Sequence, residues 1–271
     1  VEPREAFDFS RIVWVLVVAV GLGVVGLLLR RARDGLLRIG IEQTAEKLER
    51  VLAVLNDPAP HDLAVVSPDA WTKEHLAAIE ARLGDARALG FRLLGDIEDR
   101  TVSRAVGTAA TVRDFVHDDG ITMLSAMVRP REEAAHGSAA LAPAVALECG
   151  SELSDERFVE TIATDAPLLD PGPRVLVERL PASTPLSALL ERHRARVAQV
   201  VGGDVRALPV GDIDAAIQRA HRRLAVTAAA RAALPGGISR EELGRLAVDT
   251  DATVVDRLHA ALIRRQQQRR R

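Results

Sequence analysis

Ile12 to Leu29 reads IVWVLVVAVGLGVVGLLL, a run with no charged side chain and only the Trp14 indole to make a side-chain hydrogen bond. How this run is read decides the fold. As a helix it rises about 1.5 Å per residue and covers ~27 Å, close to the ~30 Å hydrocarbon core of a bilayer. In lipid, a helix satisfies its own backbone without partner strands. Phe7, Phe9 and Trp14 sit at its N-terminal end, where aromatic rings favour the membrane interface. The sequence therefore predicts a transmembrane helix over 12–29 with the bulk of the chain after it.

Three other readings of the run fit less well. A cleaved signal peptide needs a basic start and a small-residue exit, whereas Glu2, Glu5 and Asp8 flank the start and Arg30-Arg31-Ala32-Arg33 forms the exit. A core helix of a soluble domain is seldom this long and this apolar. Gly21-Leu22-Gly23-Val24-Val25-Gly26 matches the dinucleotide-binding pattern G-x-G-x-x-G, with Glu42 downstream at about the place of a ribose-binding acid. That pattern requires repeated βαβ units, and the sequence after it reads as hairpins and helices. No cofactor is assigned.

Basic residues orient the span. Arg30, Arg31, Arg33 and Arg38 crowd its C-terminal side against a single acid, Asp34, while Arg4 and Arg11 stand among three acids on the other side. Positive charge stays inside. The expectation is a single-pass protein of the inner (plasma) membrane, N-terminus out and bulk cytoplasmic, in contact with the lipid bilayer through residues 12–29. The same arginines suit anionic headgroups.

The formal net charge is −2, so no global field draws the chain to nucleic acid. Tyrosine is absent and aromatics are few, which leaves Leu, Val, Ile and Ala to fill the core. Cys149 is the only cysteine, cannot form an internal disulfide, and lies in an apolar run that reads as core.

Beyond the anchor, 30–60 reads as a juxtamembrane helix and linker. Leu37, Ile41, Thr44, Leu48, Val51 and Leu55 follow a heptad seam, which offers a homodimeric coiled coil or packing on the protein's own domain. Asn56-Asp57-Pro58-Ala59-Pro60 ends that helix. Residues 61–203 read as an α+β domain. Its helix begins at Ser67-Pro68 and is expected to run to about Leu89, with Gly90 at its end. Phe91–Ile97, Thr111–His117, Ile121–Val128, Ala144–Leu153, Arg157–Ala163 and Arg174–Leu180 read as strands, with turns at Asp118-Asp119-Gly120 and Ser154-Asp155-Glu156. The expected sheet is antiparallel with one face on helices. A helix capped at Ser183 or Thr184 follows. Residues 204–271 form a helical section with a basic tail, marked by Asp212 as a cap and by the capping-box spacing of Ser239 and Glu242.

Gly90-Phe91-Arg92-Leu93-Leu94-Gly95-Asp96, the hairpin Ser151 to Thr161, and Glu178-Arg179-Leu180-Pro181 followed by the His193 helix resemble stretches of uncharacterised bacterial single-pass membrane-anchored proteins. The likeness implies an α+β cytoplasmic or periplasmic domain and carries over no catalytic residue. The helices after it lie outside the likeness.

No catalytic, cofactor or metal residue is assigned. His117-Asp118-Asp119 places an imidazole beside two carboxylates, and Asp-Gly after a strand is chiefly turn chemistry. Asp96, Glu98 and Asp99 read as a solvated strand end. His61, His75, His136, His193, His221 and His259 are scattered without zinc spacing. The leading expectation is a tethered, non-enzymatic module that binds an unknown protein partner or a ligand. One alternative is a hydrolase or metal-dependent enzyme at the sheet edge, built on His117. Another is contact with nucleic acid or anionic lipid through the C-terminal helices; nucleic acid is disfavoured because Asp251 and Asp256 stand on the would-be reading helix.

Overall fold

The computed structural model describes residues 37–107, 109–129, 144–166, 168–247 and 250–269. The anchor run 12–29, the G-x-G-x-x-G match and His136 lie outside the described residues. Within them, no helix is long and apolar enough to cross a membrane.

The elements are α1 (Leu37–Leu55), β1 (Leu63–Val66), a 3-10 turn (Pro68–Ala70), α2 (Lys73–Leu83), β2 (Phe91–Asp99), α3 (Arg100–Val106), β3 (Thr111–His117), β4 (Met123–Arg129), β5 (Ala144–Glu152), β6 (Phe158–Ala163), β7 (Val175–Leu180), α4 (Leu186–Val200), α5 (Ile213–Ala232), a second 3-10 turn (Pro235–Gly237), α6 (Arg240–Leu246) and α7 (Ala252–Arg269). The fold is α+β. The strands form one seven-stranded sheet in chain order, β1 to β7.

Two expectations about this sheet are corrected. It is mixed rather than antiparallel, because β7 runs parallel to β6, with Phe158 opposite Val175 and Ala163 opposite Leu180. Parallel neighbours require the chain to return to its starting edge, and the described residues between 164 and 174 include no helix. Both faces of the sheet are covered, not one. On the first face, Phe91, Phe115, Leu124, Leu147 and Cys149 pack against Ile79 and Leu83 of α2 and Leu186, Leu189 and Leu190 of α4. On the second, Val116 and Met123 meet Ala216 of α5, and Met127 meets Val51 and Leu55 of α1. β4 shows the alternation: Leu124 and Ala126 point to the first face, Met123 and Met127 to the second.

Local chemistry explains most element ends. Ser67 caps the 3-10 turn, with its side chain accepting from the Asp69 N–H. The helix expected from there to Leu89 is interrupted. Trp71 is extended, Thr72 supplies a new N-cap, and Gly84 (φ 57) ends α2 early. The helix at α4 starts at Leu186 after Pro185, with no side-chain cap from Ser183 or Thr184. Asp212 caps α5, and Ser239 with Glu242 forms a complete capping box on α6.

The heptad stripe of α1 is occupied within the chain. Ile41, Leu48 and Leu52 are buried with Leu243 of α6 and Val255, Leu258 and Leu262 of α7. Arg264 pairs with Glu42, and Arg265 and Arg269 with Glu49. Basic residues offered above to lipid or nucleic acid thus have carboxylates on α1.

Candidate ligand chamber under helix α5

The second sheet face carries polar residues where a core would be apolar. Register places Asp114 of β3 opposite Ser125 of β4, and Ser125 opposite Glu148 of β5, so these three stand in one row across adjacent strands. Glu160 of β6 lies opposite Gly150 of β5. Helix α5 crosses this face with Ala216, Arg219, Ala220, Arg223 and Leu224 turned to it, the i, i+3, i+4 spacing of one helical face. Between them lies an open cavity of about 110 Å³. Its walls combine the acidic row with Met123, Met127, Val112 and Leu224.

Some of the buried charges are matched. Arg223 donates two hydrogen bonds to Glu160, at 2.8 and 3.0 Å. Burial would raise the Glu160 pKa, but the Arg223 charge and hydrogen bonds outweigh it and hold Glu160 below its ordinary value. Burial likewise opposes the charge on Arg223, and Glu160 more than restores it. Outside the cavity Arg222 grips Glu152 at 2.6 and 2.8 Å.

Arg219 lies in the field of Glu160, Glu148, Glu152 and Asp114, with no hydrogen bond to any of them. Arg219 is 7% exposed, and its Nε has no hydrogen-bond partner. One Nη contacts only the Met123 sulfur, at 2.9 Å, and Cζ lies 6.0 Å from the Phe158 ring centroid. The other Nη rests on Gly150, where a Cβ would come within 2.5 Å of it. Only glycine leaves room there. Glu148 lines the cavity, and no hydrogen bond fixes its carboxyl. Burial first, then the Glu160 charge, push its pKa up to about 8 against the pull of Arg223 and Arg219. Asp114, 6% exposed, accepts from the Ser125 hydroxyl at 2.6 Å, and burial still raises it to about 6.

At the rim, Asp99 holds His61 at 2.5 Å, both almost fully buried. Burial would lower the His61 pKa, but the Asp99 hydrogen bond and charge together raise it. Asp99 also caps α3, a helix the sequence did not announce, and His221 approaches the His61 carbonyl at 2.9 Å. The solvated reading of the acidic strand end is corrected accordingly. Asp99 is buried, and so is Asp96, which takes two hydrogen bonds from Arg113. Glu98 lies 3.9 Å from Arg100.

A second polar cluster sits on the first face. The Ser151 hydroxyl donates to the Ile121 carbonyl at 3.0 Å and is also 3.0 Å from His193 Nε2. The single hydroxyl proton is used, so Nε2 must carry the hydrogen and donate to Ser151. Nδ1 then accepts from Thr161 at 3.3 Å, and Arg196 donates to that threonine. This is a neutral imidazole. Burial, then Arg219 and Arg196, lower its pKa to about 3. Ser151, Thr161 and His193 are all fully enclosed. A pair in which histidine donates to serine cannot activate that serine, so the cluster ties α4 to β5 and β6.

His117 is 8% exposed and stands at the end of β3, not on the chamber wall. Its Nδ1 accepts from the Asp119 N–H at 2.9 Å, and Arg194 lies 2.9 Å from Nε2. Asp119 also takes the N–H groups of Ile121 and Thr122, which outweigh burial and keep its pKa low. This is the hairpin turn. Cys149 is fully buried, and burial pushes its thiol up, away from reactive thiolate. Among the described residues, no three His, Cys, Asp or Glu are grouped to hold a metal.

Sequence reasoning missed Asp114, Glu148, Glu160, Arg219 and Arg223. With helices expected on one face of the sheet only, the acids of β3, β5 and β6 had no second layer to meet. The signal that could have located them was joint: three strands with an acid on one face, and one later helix with arginines at 219, 222 and 223 between alanines.

No protein-family model matches this chain, and neither a curated protein nor a solved structure does.

Proposed function

We propose that this chain is a membrane-tethered module whose α+β domain binds a small ligand in the chamber between the sheet and α5, without turning it over. One observation carries the reading: a buried guanidinium nitrogen, Arg219 Nε, has no hydrogen-bond partner and lines the same cavity as the half-buried carboxyl of Glu148. Buried polar groups are normally satisfied, and leaving one unmet costs about 1–3 kcal/mol. A ligand that meets both groups recovers that cost. The hydrolase reading has less behind it, since the His117 ring is engaged by the turn and by Arg194. The reading of the C-terminal arginines as a nucleic-acid or lipid surface has their pairing with Glu42 and Glu49 against it.

The test is a thermal shift of the purified full chain with a size-fractionated small-molecule cell extract, in parallel with Ala220→Phe. Ala220 lines the chamber, and the ring fills it. The parent is expected to gain a saturating rise in unfolding midpoint that the variant lacks. No shift in the parent, or an equal shift in both, overturns the reading.

The tether rests on the sequence of 12–29. The full chain is expected to sediment with membranes and resist alkaline carbonate, and deletion of 12–29 to release it to the supernatant. Protease added outside intact cells or spheroplasts is expected to leave the bulk of the chain uncut.

A further inference from the structure

The ligand chemistry follows from which groups in the chamber lack partners, and it rests on the ligand-binding reading above. Two needs of opposite sign stand side by side. Arg219 has donors and no carboxylate or carbonyl at hydrogen-bond distance; its Nε is unpaired and its Nη atoms meet a thioether and a glycine. The row Asp114, Ser125, Glu148 has acceptors and no cation in contact.

An acid row alone would take any cation, and a guanidinium alone any anion. Their presence in one cavity narrows the choice to a molecule that carries both charges. Gly150, on which Arg219 rests, is the next same-face position along β5 from Glu148, about 6.8 Å away by strand geometry. In an α-amino acid the ammonium nitrogen and a carboxylate oxygen are about 3 Å apart. With a charge-assisted contact of about 2.8 Å on each side, such a molecule spans about 8.6 Å between the groups that hold it, and both of those groups line one cavity. The three ammonium hydrogens find three acceptors: Asp114, the lone pairs of the Ser125 hydroxyl, and Glu148. The remaining walls, Met123, Met127, Val112 and Leu224, are apolar and suit an aliphatic or thioether side chain.

We propose that the chamber binds a free α-amino acid with an apolar side chain, its carboxylate on Arg219 and its ammonium on the Asp114–Ser125–Glu148 row. Binding is coupled to a proton. Glu148 faces Glu160 and Asp114 from neighbouring strands and Arg219 and Arg223 from α5, and in the empty site it holds its proton near neutral pH, with a pKa of about 8. An arriving ammonium favours the carboxylate, so the proton leaves. Affinity therefore rises with pH, by about tenfold between pH 6.5 and 8.

The experiment is titration calorimetry on the full chain with each of the twenty common amino acids, at pH 6.5 and 8. For the tightest binder the amine lacking the carboxylate and the acid lacking the amine are titrated as well. An apolar amino acid is expected to bind saturably, with each one-charge analogue at least tenfold weaker. Glu148→Gln is expected to remove the pH dependence and the proton release. Because that substitution is isosteric, the fold is retained; the analogue comparison, made on the parent protein, does not depend on it. Absence of saturable binding by all twenty, or an analogue binding as tightly as the zwitterion, overturns the proposal. If the extract shifts the parent but not Ala220→Phe while all twenty fail, the chamber reading stands and the amino-acid assignment falls.

Discussion

Arg231→Met is expected to lower the unfolding free energy by about 3–5 kcal/mol, the range for removing one partner of a buried ion pair. The guanidinium is 1% exposed and satisfies four acceptors from distant parts of the chain. It donates to Asn56 Oδ1 at the end of α1 (2.9 Å), to the Asp170 carbonyl in the return loop (2.9 Å), to Glu242 of α6 (2.7 Å) and to the Gly237 carbonyl (2.8 Å). Glu242 in turn accepts from the Asp170 and Ser239 N–H groups. Burial would raise the Glu242 pKa, but Arg231 and these donors keep it low. Gly237 (φ 75) brings its carbonyl to this point, and a Cβ there would come within 2.6 Å of Asn56.

Methionine fills the volume but leaves the buried Glu242 carboxylate without its counter-charge and takes a donor from the Asn56 oxygen and from the Asp170 and Gly237 carbonyls. Arg231→Lys is no conservative rescue, because a point charge cannot reach four acceptors in the plane of a guanidinium. The double variant Arg231→Met, Glu242→Met is expected to cost less than the sum of its singles, since neither charge is stranded. Urea unfolding followed by circular dichroism reads both. A loss under about 1 kcal/mol for Arg231→Met would mean that the cluster does not hold the return loop and the C-terminal helices together.

His193→Gln is expected to show a stability deficit that shrinks as the solution is acidified. His193 has a folded-state pKa lowered to about 3 against about 6.5 unfolded. A group with a depressed folded pKa contributes stability above the unfolded value and loses it as pH falls toward the folded one. Below pH 6.5 the unfolded chain takes up the proton and the folded chain does not, so the parent loses about 1.4 kcal/mol per pH unit from this group. Glutamine has no such loss. From pH 6.5 to pH 4 the difference between parent and variant should close by about 3 kcal/mol. Measuring the difference matters, because Glu148 and Asp114 have raised pKa values and act in the opposite direction, stabilising the fold as pH falls. A pH-independent deficit would show that the folded imidazole takes up its proton as readily as the unfolded one, so that the fold does not hold it neutral.

These two clusters mark the boundary of what local reading can reach. The strands of the central hairpins are legible because β3, β5 and β6 are short runs rich in Val, Phe, Thr and Ala, and Asp119 followed by Gly120 after such a run is turn chemistry. Asp212, Ser239 and Glu242 are legible as caps because a capping bond spans only three residues. The helix expected to reach Leu89 failed at Trp71-Thr72, where two caps five residues apart compete and tertiary burial of Trp71 favours the break. Helix α3 was missed because it is short and its cap, Asp99, is also the last residue of a strand.

The sequence by itself determined the α+β class, the order of the strands, most helix ends, and the expectation of a lipid-spanning segment at 12–29, because all of these are written in contacts a few residues long. Only the tertiary structure decided that β7 runs parallel to β6, that the stripe of α1 faces α6 and α7, and that Glu160 of the second sheet face meets Arg223 instead of water. An acid that alternates with valines has the same local pattern in either surrounding. Its partner, Arg223 for Glu160, lies sixty-three residues away. Whether a carboxyl is solvated, paired or left waiting for a ligand is settled by that distant contact.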